Sequence, residues 1–222
     1  AVYAVAFAIG RAMAEHGWPA DMRGYTQDWP GSGLIETGTV TRFSTDPEGG
    51  LPRFDTELAL TDAQERALVD AGLMSLLSLG FGGETLLDAA PSLQVPRRYA
   101  GTGAEAAAAS ARLSAQFNTI VCVSRFAHFV KVMGRDMTGA FRTAEEIEAH
   151  LAEWLRSYTN GNRDAGPETR ARYPLLDASV AVHELPGKPG SFGCTIHLLP
   201  QYQLDNVTAA FRLVTEIAAP GG

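Results

Sequence analysis

The sequence is poor in the residues that most chemistry requires. Its two cysteines, Cys122 and Cys194, give no disulfide framework and no metal-ligand spacing, a usage that fits a reducing compartment. Positive charge is scarce: 18 basic residues stand against 25 acidic ones, a net charge of −7 that argues against a dedicated nucleic-acid binder. Lysine is nearly missing, with only Lys131 and Lys188. The remaining basic residues are arginines, which suit planar ion pairing at interfaces, although genome composition explains them equally well. Long apolar runs are also lacking. The longest, residues 1–9, is too short to span a bilayer. It has neither a basic leader nor an initiating methionine, so it does not read as a signal peptide. It opens inside a helical pattern, which suggests a piece of a longer chain. No phosphate-binding motif is complete: Gly80-Phe81-Gly82-Gly83 lacks the lysine and Ser/Thr of a P-loop and reads as a turn. Ser124 has no G-x-S-x-G context and sits within a helical pattern. No internal repeat is visible.

What is present is enough apolar residue, 45% over 222 positions, to bury a sizeable core in one large domain or two small ones. The organising stretch is residues 102–134, which reads as one long helix. Thr102 with Glu105 forms a capping-box pattern, an alanine-rich run follows, and Gly134 reads as the stop. Thirty-odd residues would span roughly 45–50 Å. Its second half is apolar almost all round, which predicts an enclosed helix. The exception is a stripe of Arg125, His128, Lys131 and Arg135 along one side. This stripe is either a solvated face or a basic ridge that meets an acidic surface on another chain.

In chain order, Val2, Val5, Ile9 and Met13 recur at helical spacing, with Gly17 as the stop. Residues 27–33 and 46–53 read as loops, and residues 34–37, 39–43 and 56–60 as short strands. A second capping box, Thr61 with Gln64, opens a helix that ends at Gly72. Residues 73–79 form a buried-strand candidate, and residues 91–103 are the best linker. A third capping box, Thr143 with Glu146, opens a helix to about Tyr158, with Ile147, Leu151, Trp154 and Leu155 on one face. Residues 160–168 read as a polar loop. Residues 178–185, 192–199 and 208–217 read as strands, the first two joined by PGKPGS from Pro186. The fold class is mixed α/β (α+β) in two parts, 1–100 and 101–222. The first part resembles α/β by alternation; the second is helices followed by antiparallel strands.

The most tempting catalytic pair is Cys194 with His183, the basis of a thiol-hydrolase alternative. Register opposes it. If Val180 and Val182 share a face with Cys194, Ile196 and Leu198, then His183 and His197 lie on the other face. Those two histidines have no carboxylate or cysteine at ligand spacing and read as a surface pair. His16 and His150 read as helix-surface residues without companions. No cofactor, metal or nucleotide site emerges.

RLSAQ from Arg112 and SRFAHFVKVMGRD from Ser124 resemble the large sheath subunit of the bacterial type VI secretion system, the TssC or VipB family. So do GWPADMRG from Gly17, TELALTDAQERALVDAG from Thr56, ARYPL from Ala171, PGKPG from Pro186 and FRLVTEI from Phe211. The resemblance covers essentially the whole chain, departs from the family at residues 80–84, and implies roughly as much again on the N-terminal side. It implies a contractile-tail-sheath-like fold with a long central helix and a small C-terminal sheet, and a structural, non-enzymatic role in the bacterial cytoplasm. The implied partners are a small sheath subunit, other copies of the same chain, an inner tube protein, a baseplate and, indirectly, an AAA+ disassembly ATPase, with no nucleic acid and no membrane insertion. A phage-tail or extracellular contractile system is the alternative within this class. The resemblance also implies strand addition between subunits. The candidates for that interface are Phe192, Cys194, Ile196, Leu198, Phe211, Leu213 and Ile217, and proline at Leu213 is expected to abolish polymerisation.

Overall fold

The computed structural model describes residues 2–25, 33–36, 56–79, 84–101, 103–138, 143–188, 190–201 and 211–217. The chain divides into two compact units, residues 1–95 with 115–118, and residues 96–114 with 119–222.

The first unit opens with α1 (Val2–His16), ended by Gly17 at φ 75°. The helix is as expected, but its buried line is not the valines. Ala8 and Ala12 are buried, flanked by Ala4, Val5 and Ile9, while Val2 is exposed. Alanine lets the helix lie close against Met22, Ile35, Leu87 and Ala90, the rest of that core. The GWPADMRG string is a buried turn: Trp18, Ala20, Asp21 and Met22 are all enclosed. His16 is therefore not companionless, since its Nε2 lies 3.8 Å from Asp21 Oδ2 and 3.7 Å from Glu15 Oε2.

Three short strands, β1 (Leu34–Glu36), β2 (Leu77–Ser78) and β3 (Glu84–Leu86), form an antiparallel sheet with β3 in the centre. Among the described residues this sheet has no parallel pair, so the α/β alternation of the sequence produces no βαβ crossover there. Gly33 ties the sheet to the turn by donating to Gly24 and accepting from Leu87, both at 2.9 Å. A Cβ at Gly33 would overlap the Leu87 carbonyl, so only glycine fits this close approach. Helix α2 (Asp62–Asp70) begins at the Thr61–Gln64 capping box with both reciprocal bonds present. Residues 56–60 form no strand, and of residues 73–79 only Leu77 and Ser78 pair. Leu73 and Leu79 are exposed. The expected loops at 27–33 and 46–53 (apart from Gly33), the strand at 39–43, the Thr102 cap and the turn at 80–83 lie outside the described residues.

The single long helix of the sequence reading is two helices, α3 (Ala104–Ser114) and α4 (Phe117–Thr138). Residues 90–92 cause the break. The Phe117 N–H donates to the Ala90 carbonyl at 2.8 Å, and Ser92 N–H donates to the Ala115 carbonyl at 2.9 Å. Those two main-chain groups are thereby lost to the helical ladder, and Pro91 and Gln116 form a β-bridge. Gly134 does not stop α4, which runs on to Thr138.

In the second unit α4 packs against α5 (Ala144–Arg156), whose Thr143–Glu146 capping box is complete. Phe126, fully buried, sits edge-on to Trp154 and Tyr158 with ring centroids 5.7 and 6.0 Å apart. Ile147, Leu151 and Leu155 are buried on one face of α5, as their spacing predicts. A short helix α6 (Pro167–Arg172) replaces the end of the expected polar loop. The unit closes with a three-stranded antiparallel sheet in the order β4 (Leu175–Glu184), β5 (Phe192–Pro200), β6 (Phe211–Ile217).

Candidate assembly surfaces

The C-terminal sheet has one apolar and one polar face because its alternation is in register across all three strands. Val180 pairs with Ile196 and Val182 with Cys194; beyond β5, Ile196 pairs with Leu213, Cys194 with Thr215, and Phe192 with Ile217. Leu198 lies between Ala178 and Phe211 in the same register. Phe192, Cys194, Ile196, Leu198 and Ile217 are all buried and Leu213 is half-buried. The candidate strand-addition residues thus share register positions on one sheet face, and the buried ones pack within their own unit. What the sheet can offer a partner is a main-chain edge rather than these side chains.

The two edges differ. At β4, the Val182 N–H points away from β5 and donates to Glu148 Oε2 of α5 at 2.9 Å. A helix carboxylate thus occupies that outward donor, one of the ways proteins blunt a sheet edge. Antiparallel ladder bonds alternate along a strand. With Val182 directed outward, Cys194 and Ile196 direct their main-chain groups to β6, where they meet Thr215 and Leu213. Arg212, Val214 and Glu216 then carry their N–H and C=O groups on the outer edge of β6. No strand pairs with that edge among the described residues, and Val214 is 70% exposed.

The same register separates Cys194 from His183, which pairs with Gly193 on the opposite face. The His183 ring lies over Gly193, within 2.5 Å (Nε2) of where a Cβ would stand. Burial first, and the Glu148 carboxylate second, push the Cys194 thiol up to about 11, while burial pushes Cys122 up to about 12. Neither is an activated nucleophile, for which a lowered value and access are required. His183 and His197 share the polar face but are four positions apart in the ladder, about 13 Å at ~3.3 Å per residue. That is too far to share a metal ion.

On α4, the buried line is Cys122, Phe126, Val130, Gly134 and Met137. The opposite, exposed line is Ser124, His128, Lys131 and Arg135. Arg125 stands about 90° to one side, half-buried, with its guanidinium 5.0 Å from the Phe129 ring centroid. The candidate basic stripe is therefore three exposed residues plus one stacked flank. The helix itself is not enclosed: Val121, Val123, Ala127, Phe129, Val132 and Met133 are only half-buried.

The arrangement is a scaffold with, among the described residues, a bare strand edge and a charged helix face, and comparison with known proteins matches that scaffold to tail sheath domains. Residues 1–94 match the EvpB/VC_A0108 tail sheath N-terminal domain, and residues 106–217 match its tail sheath gpW/gp25-like domain. The chain belongs to the EvpB/VC_A0108 tail sheath family, as the sequence strings indicate. Among its relatives is the type VI secretion system sheath protein TssC1 of Pseudomonas aeruginosa, 33% identical over 216 residues. That alignment covers 97% of this chain but only 42% of the relative, so the chain spans less than half of that protein's length. No helix among the described residues is long and apolar enough to cross a membrane.

Sequence reasoning did not single out Glu148 or the outward position of Val214, and it read Gly134 as a helix stop rather than a packing position. Only Gly134 left a signal, a lone glycine inside an apolar helical pattern.

Proposed function

We propose that this chain is the middle and C-terminal part of a large subunit of a cytoplasmic type VI secretion sheath. The protein polymerises with a small sheath subunit around an inner tube and contracts to drive that tube outward. Its N-terminal part (about 1–100) and C-terminal part (101–222) act as successive sheath domains. A baseplate and an AAA+ disassembly ATPase are its further partners. The role is structural, with stored energy residing in packing differences between two assembled states.

The outer edge of β6, bare among the described residues, is the observation that carries this reading. An exposed edge takes an added strand through main-chain hydrogen bonds. Three outward residues offer three donors and three acceptors, and at roughly 0.5–1 kcal/mol net per bond a paired strand contributes about 3–6 kcal/mol. That is comparable to the low end of the cost of immobilising a free subunit, about 4–15 kcal/mol, and below most of that range. Strand addition therefore holds only where several contacts act together, as in a lattice. The exposed cations of α4 offer a second, weaker contact.

The test is co-expression of the full-length protein with its small subunit, followed by electron microscopy. Tubes are expected, and none from a variant lacking residues 207–222. Tubes from the deletion variant refute the edge as the joint; no tubes from the unaltered pair refute the sheath reading.

A further inference from the structure

We propose that Gly134 is the positioning residue of β6: its missing side chain is the seat for Ile217, and the seat fixes the register that presents the outer edge of β6 to another subunit. Gly134 lies in the interior of α4, where glycine is disfavoured relative to alanine, and it caps nothing. A Cβ there would stand 2.7, 2.8 and 2.9 Å from Ile217 Cδ1, Cγ2 and Cγ1. Cγ1 and Cγ2 are the two branches of a side chain stiff at χ1, so no single rotamer change withdraws both. Ile217 is the last residue of β6 and 3% exposed. Elsewhere on the strand, among the described side chains, Leu213 and Thr215 are half-buried and Val214 is exposed.

Register needs such a device here. A one-residue slip of β6 turns its apolar side outward and is opposed by the alternation itself. A two-residue slip keeps Leu213, Thr215 and Ile217 on the same face, so alternation does not oppose it. It does remove Ile217 from the Gly134 notch. The notch thus excludes the even slips that the pattern leaves open, and it keeps the β6 edge in line with β5. This inference rests on the proposed assembly through that edge.

The experiment uses the full-length protein and reads register separately from assembly. Thr195 and Val214 are opposite each other on the polar face, and with Thr215 bonded to Cys194 they form a non-hydrogen-bonded pair, the closer kind. A Thr195→Cys/Val214→Cys pair should oxidise to a cross-link only in the native register. The cross-link is expected to form readily in the otherwise unaltered protein and to fall at least fivefold when Gly134→Ala is added. Thermal unfolding should come only slightly earlier than before, because alanine's helix preference offsets part of the cost of unseating the buried Ile217. Without the cysteines, Gly134→Ala should reduce tube yield at least tenfold, and adding Ile217→Ala should restore more than half of it. Unchanged cross-linking in the Gly134→Ala background overturns the seat. Lost cross-linking with normal tubes, or no recovery with Ile217→Ala, overturns its link to assembly. If the unaltered protein forms no tubes, the sheath reading fails, and the cross-link alone still decides the seat.

Discussion

Proline placed at Val214 separates the outer edge of β6 from its inner ladder. The Val214 N–H points away from β5, because the ladder bonds run through Leu213 and Thr215. Its side chain is 70% exposed. Proline is tolerated where an edge N–H faces solvent, so Val214→Pro should change the stability of the unassembled protein by less than about 1 kcal/mol. Assembly is another matter. The substitution removes one donor worth roughly 1 kcal/mol, and the ring obstructs the bonds on either side. Half of an edge worth about 3–6 kcal/mol is roughly 1.5–3 kcal/mol, or about 10- to 150-fold per contact. The critical concentration for tubes, measured by sedimentation with the small subunit, should rise by at least that factor. Leu213→Pro is the contrasting case. Leu213 is half-buried and its N–H belongs to the ladder with Ile196. Losing that bond leaves an inner carbonyl unpaired, about 1–3 kcal/mol, and so lowers the melting temperature as well as assembly. Proline at Leu213 should therefore cost fold stability as well as polymerisation, whereas the same change one residue later should cost polymerisation alone. Normal tubes from Val214→Pro, or equal destabilisation by the two prolines, would refute the reasoning.

Reversing His128, Lys131 and Arg135 together to glutamate should weaken assembly most at low salt, with the deficit shrinking as salt rises; each exposed pair is worth only about 0–1 kcal/mol, so single reversals should do little. A salt-independent deficit, or none, would assign the stripe to solubility. Glu148→Ala uncovers the Val182 N–H and should lower stability by about 1 kcal/mol while raising self-association in light scattering, because it opens the second sheet edge. The raised Cys194 thiol, about 11 against an ordinary value of 9.0, keeps the folded state more protonated than the unfolded one. Its contribution is present below about pH 9 and lost as pH rises towards 11, so unfolding should become easier across that window, less so in Cys194→Ala. That variant should also leave secretion intact, and a secretion defect in a well-folded Cys194→Ala protein would revive the thiol as a functional group.

The local signals of the chain were legible because they are complete within a few residues. Thr61 with Gln64 and Thr143 with Glu146 form capping boxes whatever surrounds them. The face assignment of the β4–β5 hairpin followed from alternation, since any odd slip would divide Val180 and Val182 from Ile196 and Leu198, whereas the choice among even registers was not legible. The break between α3 and α4 was not legible. RLSAQF has good helical composition, and what interrupts it is a pair of main-chain bonds to residues 90 and 92, more than twenty positions away. Gly134 was misread as a stop for a related reason: a glycine's local meaning is a helix end, whereas its use here is contact with Ile217, 83 residues further on. The α6 helix did leave a signal that went unread, Pro167 at its first turn followed by Glu168. The run at 73–79 shows the opposite failure, because apolar residues without a period cannot distinguish a buried strand from the partly exposed segment they form.

The unequal edges of the C-terminal sheet bear on what kind of polymer it can join. If both edges were open, strands could add on either side, and the sheet would impose no direction on growth. Glu148 occupies an outward donor of β4, whereas the outer edge of β6 is bare among the described residues. Among the described residues, then, the sheet presents the outer edge of β6 more openly than that of β4. An edge used on one side only, with a strand donated from a different part of a neighbour, makes a heterologous contact, and such contacts propagate as open helices when the rotation does not close. The competing outcome is β6 of one copy pairing with β6 of another, an isologous contact that closes as a dimer and consumes the same edge. Dimers of this kind should accumulate when the small subunit is absent and disappear when it is supplied in excess. Their persistence under excess small subunit would mean that the edge belongs to a homodimer and not to a growing sheath.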